Sequence, residues 1–155
     1  MNALARRVGK RLKAGRARLV TAESCTGGWI AQAVTAIPGS SAWFERGFVT
    51  YSNAAKRELL GVKQRTLRKF GAVSEETARE MAKGALQNSR GTIAVAVTGV
   101  AGPTGGSDEK PVGMVCFAFA TSRMISSESR RFKGKRESVR RQSVIHALKG
   151  VLERG

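Results

Sequence analysis

Arg18-Leu19-Val20-Thr21-Ala22-Glu23-Ser24-Cys25-Thr26-Gly27-Gly28-Trp29-Ile30-Ala31-Gln32-Ala33-Val34 is the stretch whose reading decides the fold of this chain. Arg18 to Thr21 reads as a short strand and Gly27 to Ala36 as a helix, with a small polar turn between them. A serine between a strand and a glycine-started helix is placed like a nucleophile, its hydroxyl at the sheet edge. The first N–H groups of such a helix lack intrahelical acceptors and carry the positive end of its dipole. They suit an oxyanion or a phosphate, which makes Ser24, Thr26 and Gly27 candidate site residues. The plainer reading, preferred on this motif alone, is that Ser24 or Thr26 caps the helix.

Outward from this stretch, helices and strands alternate. Leu4, Val8 and Leu12 recur every fourth residue and predict an amphipathic helix ending near Gly15. Pro38-Gly39-Ser40 reads as a turn, and Phe44 to Tyr51 as a strand. Asn53 is expected to cap a short helix that runs through Leu60 to Gly61. Ser74 caps the next, with Ala78, Met81, Ala82, Ala85 and Leu86 as its apolar stripe. Thr92 to Val97 and Gly113 to Thr121 read as buried strands, Ser127 to Phe132 as a more polar strand near an edge, and Glu137 to Leu152 as the last helix. The expectation is a single α/β domain over residues 1–155, layered α/β/α around a central mixed sheet.

Composition narrows the function classes. The chain has 155 residues, enough for a real core, and no apolar run of membrane-spanning length. Two cysteines, Cys25 and Cys116, make no disulfide framework, and a cytoplasmic location is expected. With one histidine, His146, they build no usual zinc site, and no metal or cofactor is expected. The net charge of +17 implies attraction to polyanions or to a phosphorylated substrate. Its basic residues lie in three regions, Arg6 to Arg18, Arg57 to Lys69 and Arg123 to Arg141, without the aromatic interleaving of a single-strand binder. Nucleic acid is therefore the less favoured partner, and a membrane is not expected.

Three further blocks bear chemistry. In Tyr51-Ser52-Asn53-Ala54-Ala55-Lys56, a lysine in a first helical turn faces the positive helix end, which disfavours its charged form. Burial would lower its pKa further, and a neutral amine can take a proton from a serine. Tyr51 is placed to relay that proton or to position the reacting group. On its own, Lys56 reads more plainly as a solvated lysine. The loop from Gly99 to Ser107, with Gly99, Gly102, Gly105, Gly106 and Ser107, follows a buried strand and offers backbone N–H groups to a ligand. It is neither a Walker A loop nor a dinucleotide fingerprint. Lastly, Gly134-Lys135-Arg136-Glu137-Ser138-Val139-Arg140-Arg141 opens the last helix with arginines suited to phosphate or carboxylate.

Together these blocks resemble the CinA C-terminal domain family. The likeness rests on Ala22-Glu23-Ser24-Cys25-Thr26-Gly27-Gly28, Gly47-Phe48-Val49-Thr50-Tyr51-Ser52-Asn53, Lys56 and Gly71-Ala72-Val73-Ser74. Gly99-Val100-Ala101-Gly102-Pro103, Gly105-Gly106-Ser107, Lys110-Pro111-Val112-Gly113 and the Arg140-Arg141 helix complete it, over roughly residues 4 to 152. The chain is most similar to stand-alone members, which lack the N-terminal domain of longer ones. The resemblance implies hydrolysis of the carboxamide of nicotinamide mononucleotide to nicotinate mononucleotide and ammonia, in pyridine nucleotide salvage. It implies Ser24 as nucleophile, with Tyr51 and Lys56 as its catalytic partners. It also implies that the glycine-rich loop and Arg140 or Arg141 hold the phosphate and ribose. A homo-oligomer is expected. The second reading is a catalytically silent member that binds nucleic acid through its basic surface. A phosphohydrolase is disfavoured, because Asp108 and Glu109 are an isolated acidic pair.

Overall fold

A computed structural model describes residues 1–155. Its elements, in chain order, are α1 (Asn2–Ala14), β1 (Leu19–Glu23), α2 (Trp29–Thr35), a short 3₁₀ turn (Ser40–Ala42), β2 (Phe44–Val49), α3 (Asn53–Leu60), α4 (Gln64–Phe70), α5 (Glu75–Gln87), β3 (Ile93–Gly99), β4 (Met114–Thr121), β5 (Ile125–Arg131) and α6 (Arg136–Arg154). The sheet order is β2-β1-β3-β4-β5. β1 pairs in parallel with β2 and β3, while β4 runs antiparallel to β3 and β5 antiparallel to β4. The mixed α/β sheet is thus as expected. The short link between β4 and β5 can only join antiparallel strands.

Alternation along the strands builds two unlike cores. Leu19, Val95, Val97, Phe117 and Phe119 point to one face and meet Val8, Leu12, Ile30, Val34, Val144, Leu148 and Val151 of α1, α2 and α6. Val20, Ala22, Ala94, Ala96, Ala118 and Ala120 point to the other and meet Leu60, Ala78, Met81, Ala82 and Ala85 of α3 and α5. The alanine face lets α5 lie close to the sheet. Gly84 carries this closeness to α3: a Cβ there would overlap the Leu60 carbonyl. In an ordinary helix, Gly→Ala stabilises by about 1 kcal/mol. Here Gly84→Ala is expected to destabilise by about 3 kcal/mol, the upper end of overpacking costs, read as a lower urea midpoint at unchanged slope.

Three local readings are corrected. The α3 cap is Ser52, not Asn53: the Ser52 hydroxyl accepts from the Ala55 N–H. β2 ends at Val49 and not at Tyr51, because the chain turns there into α3. α4 was not foreseen. It has no side-chain cap and buries only Thr66, so it shows little apolar period. Ser74 does cap α5, accepting from Thr77 N–H. No helix is long and apolar enough to cross a membrane.

Candidate active site

The parallel strands β1, β2 and β3 deliver three loops to one end of the sheet, outside the carboxyl ends of the strands, where α/β folds hold their ligands. Ser24 follows β1 directly. Its N–H donates to the Val97 carbonyl of β3 at 2.9 Å, while the Thr50 N–H donates to the Glu23 carbonyl at 2.9 Å. Both ladders thus continue past the strand ends and fix Ser24 beside Thr50. Ser52 then starts α3, and its first turn carries Lys56 back under the same edge.

Lys56 is 1% exposed. Its Nζ lies 3.0 Å from Ser24 Oγ, 2.8 Å from the Thr50 carbonyl oxygen and 3.4 Å from the Tyr51 carbonyl oxygen. The plain reading of Lys56 as a solvated lysine therefore fails. Burial lowers its pKa from the usual 10.5. In the neutral amine, two N–H groups can donate to the two carbonyls, and the lone pair is left for the Ser24 hydroxyl proton. Cys25, the adjacent thiol, is pushed by burial up to about 12, so it is scarcely a thiolate at neutral pH.

The start of α2 departs from expectation. Neither Ser24 nor Thr26 caps it; the N-cap residue is Gly28, in the left-handed region at φ 94°. The acceptor is the buried Glu23 carboxylate. It takes the Ile30 and Ala31 N–H groups at 2.8 and 3.0 Å and the Thr26 hydroxyl at 2.7 Å. An internal carboxylate thus occupies the helix end that was expected to receive a phosphate. What stays free is the turn itself: no backbone acceptor takes the Thr26 or Gly28 N–H. Gly27, at φ 59°, bends this turn back over Ser24.

Two clefts meet here. The smaller, about 190 Å³, is lined by Ser24, Cys25, Tyr51, Lys56, Thr98 and Arg136, among others. The wider, about 700 Å³, is lined by Thr26, Gly27, Gly28, Trp29, Gln32, Arg136, Glu137 and Arg140. Arg136 belongs to both; it stands in the arginine block that opens the last helix but was not among the arginines expected to hold the phosphate. It donates to the Gly102 carbonyl at 2.8 Å and to the Tyr51 hydroxyl at 3.2 Å. Arg140 is tied to the turn after Ser24, donating to the Cys25 and Thr26 carbonyls at 3.0 Å each. Arg141 lines neither cleft and pairs with Glu137, at the edge of the wider one, at 2.8 Å.

The remaining candidates are scattered. Tyr51 is 63% exposed at the rim, and its hydroxyl bonds Arg136 rather than Ser24 or Lys56. The direct Lys56–Ser24 contact leaves no gap for it to relay across. Of the loop glycines only Gly99 lines the inner cleft. Gly102 and Gly106 pack their backbones on Val112, while Gly105 and Ser107 are exposed outside both clefts. Ser107 accepts from the Lys110 N–H at 3.1 Å and closes the loop's own turn.

Comparison with known proteins agrees with this architecture. The model of the CinA C-terminal domain family matches residues 1–154. The chain is 57% identical over 146 residues to the nicotinamide-nucleotide amidohydrolase PncC of Escherichia coli K12, covering 94% of this chain and 88% of that protein. It is 54% identical over 152 residues to the PncC of Pseudomonas putida, covering 98% and 95%. Among solved structures, competence/damage inducible protein CihA from Agrobacterium tumefaciens superposes with a TM-score of 0.96 at 49% identity, covering 98% of this chain and 93% of that one.

Proposed function

The chain belongs to the CinA C-terminal domain family, and from that footing we propose that it hydrolyses the carboxamide of nicotinamide mononucleotide to nicotinate mononucleotide and ammonia, in pyridine nucleotide salvage. The observation that carries this reading is the buried 3.0 Å contact between Lys56 Nζ and Ser24 Oγ. The name of the PncC relatives supplies the substrate.

Neutral Lys56 takes the Ser24 hydroxyl proton as Oγ attacks the carboxamide carbon. The oxyanion meets free N–H groups of the Ser24–Gly28 turn. The Lys56 ammonium returns its proton to the departing nitrogen, and ammonia leaves. Water, deprotonated by Lys56, then cleaves the acyl-enzyme and restores Ser24. The nicotinamide ring occupies the inner cleft, with Tyr51 at its rim. The ribose and phosphate extend into the wider cleft, where Arg136 is the anchor and Arg140 holds the turn in shape. No step calls for a metal.

The test is ammonia release from nicotinamide mononucleotide by the purified protein; no release above background would overturn the reading. Arg136→Ala is expected to raise KM about tenfold or more, since a hydrogen bond to a charged group contributes about 1.5–3 kcal/mol. Arg141→Ala should leave KM near the unsubstituted value. With the riboside, which lacks the phosphate, the Arg136 effect should shrink. If it does not, Arg136 positions Tyr51 and the Gly102 loop instead.

A further inference from the structure

The first 22 residues hold seven lysines and arginines and no acidic residue, whereas residues 23–155 hold the other 21 cations with all 11 acids. Five of the seven, Arg6, Arg7, Lys10, Arg11 and Lys13, are exposed on α1. None of the protein's ion pairs or side-chain hydrogen bonds involves them. The apolar side of α1, with Ala5, Val8 and Leu12, is buried in the core. At 3.6 residues per turn, the five cations cover an outward arc of roughly 160° in two stripes, Arg6-Lys10-Lys13 and Arg7-Arg11. None of them lines either cleft of the candidate active site.

We infer that this face of α1 binds the sugar–phosphate backbone of duplex nucleic acid, without reading its sequence. The stripes run about 10 Å along the helix axis, at 1.5 Å per residue. Duplex DNA presents one charge per about 1.7 Å, so roughly six phosphate charges pass along that length. Five cations therefore meet a matching charge density. Three are arginines, whose planar guanidinium suits phosphate oxygens. The arc carries no aromatic side chain, so it offers single strands no stacking platform. Its only apolar members are Ala3 and Ala14, too small to insert into lipid as an interfacial helix does. Backbone charge contact is what remains, and it operates independently of the amide chemistry.

The experiment is fluorescence anisotropy of a labelled DNA duplex of about 20 base pairs, titrated with the full chain across roughly 0.05–0.2 M salt. With about five phosphates engaged, log K should fall with log salt at a slope of about −4.5. A variant with Arg6, Arg7, Lys10, Arg11 and Lys13 all changed to Gln has net charge +12, since 17 − 5 = 12. It should bind more weakly by about 1,000-fold or more at the lower salt, with a slope reduced by about 4. A control with Arg57, Lys63, Arg65, Arg68 and Arg123 changed to Gln has the same +12 and keeps α1 intact. It should lose less than about threefold, the general field alone. Arg6→Gln by itself should lower the slope by about 1, which reads the same contact without a large change to the protein. Equal losses in the two +12 variants would overturn the inference, as would tighter α1-dependent binding to phosphatidylserine vesicles than to the duplex.

Discussion

Ser24→Ala is expected to remove turnover of nicotinamide mononucleotide by about 10⁴-fold or more while the protein stays folded and binds substrate. Loss of a nucleophile stops the covalent route, and what persists is the binding and oxyanion contribution. The fold should survive because the Ser24 hydroxyl has one hydrogen-bond partner, Lys56 Nζ. The backbone bonds that set the turn, Ser24 N–H to Val97 and Gly27 N–H to the Ser24 carbonyl, do not involve the side chain. Single-turnover assays with calorimetric binding separate the two effects. Retention of turnover to within about tenfold would remove Ser24 from the chemistry. Cys25 would be a poor substitute, since burial holds its thiol near 12. Loss of binding with normal turnover at saturation would recast Ser24 as a substrate contact.

How much of this site was legible depended on how local each signal was. The strand–turn–helix around Ser24 could be read because small polar and glycine residues punctuate two apolar runs within a few positions. The Ser24–Lys56 contact spans 32 residues and exists because β1 and β2 pair in parallel, Glu23 opposite Val49. Only the family resemblance put the two residues in one site before the structure did. Glu23 was passed over because an acid inside a strand has no sequence mark distinguishing a surface charge from an internal cap. The structure uses it to satisfy the start of α2, which displaces the phosphate expected there. The arginine choice was open to helix periodicity. α6 starts at Arg136, so Arg136 and Arg140 share a face one turn apart, while Arg141 lies about 100° round the axis. Beginning the helix at Glu137 left Arg136 outside it. The two cores were open to the same kind of reading but were not drawn from it: Thr92 to Val97 was read only as a buried strand, although Val95 and Val97 alternate with Ala94 and Ala96, a bulky face against a thin one.

Lys56→Met should also remove turnover by about 10³-fold or more, and the pH profile should identify the reason. The unsubstituted enzyme needs Lys56 neutral, so kcat should rise with pH as one proton is lost. The midpoint should lie below lysine's usual 10.5, because burial disfavours the ammonium form. Stability gives an independent reading of the same proton. Between the folded and unfolded pKa values the unfolded chain binds more protons, so stability should rise with pH across that window. Below the folded value the amine is charged in both states, and the full cost of burying it remains. Methionine keeps similar length without a proton to lose, so the variant should lack this rise. Against that gain it leaves the Thr50 carbonyl without its 2.8 Å donor, a cost of about 1–3 kcal/mol. Its stability at neutral pH is therefore the sum of two opposed changes, whereas the pH dependence reports the lysine alone. A kcat profile with no rise on loss of a proton at any pH below 10.5, or a variant with normal turnover, would remove Lys56 as the base. A normal stability rise in the Met variant would place the titrating proton on another group.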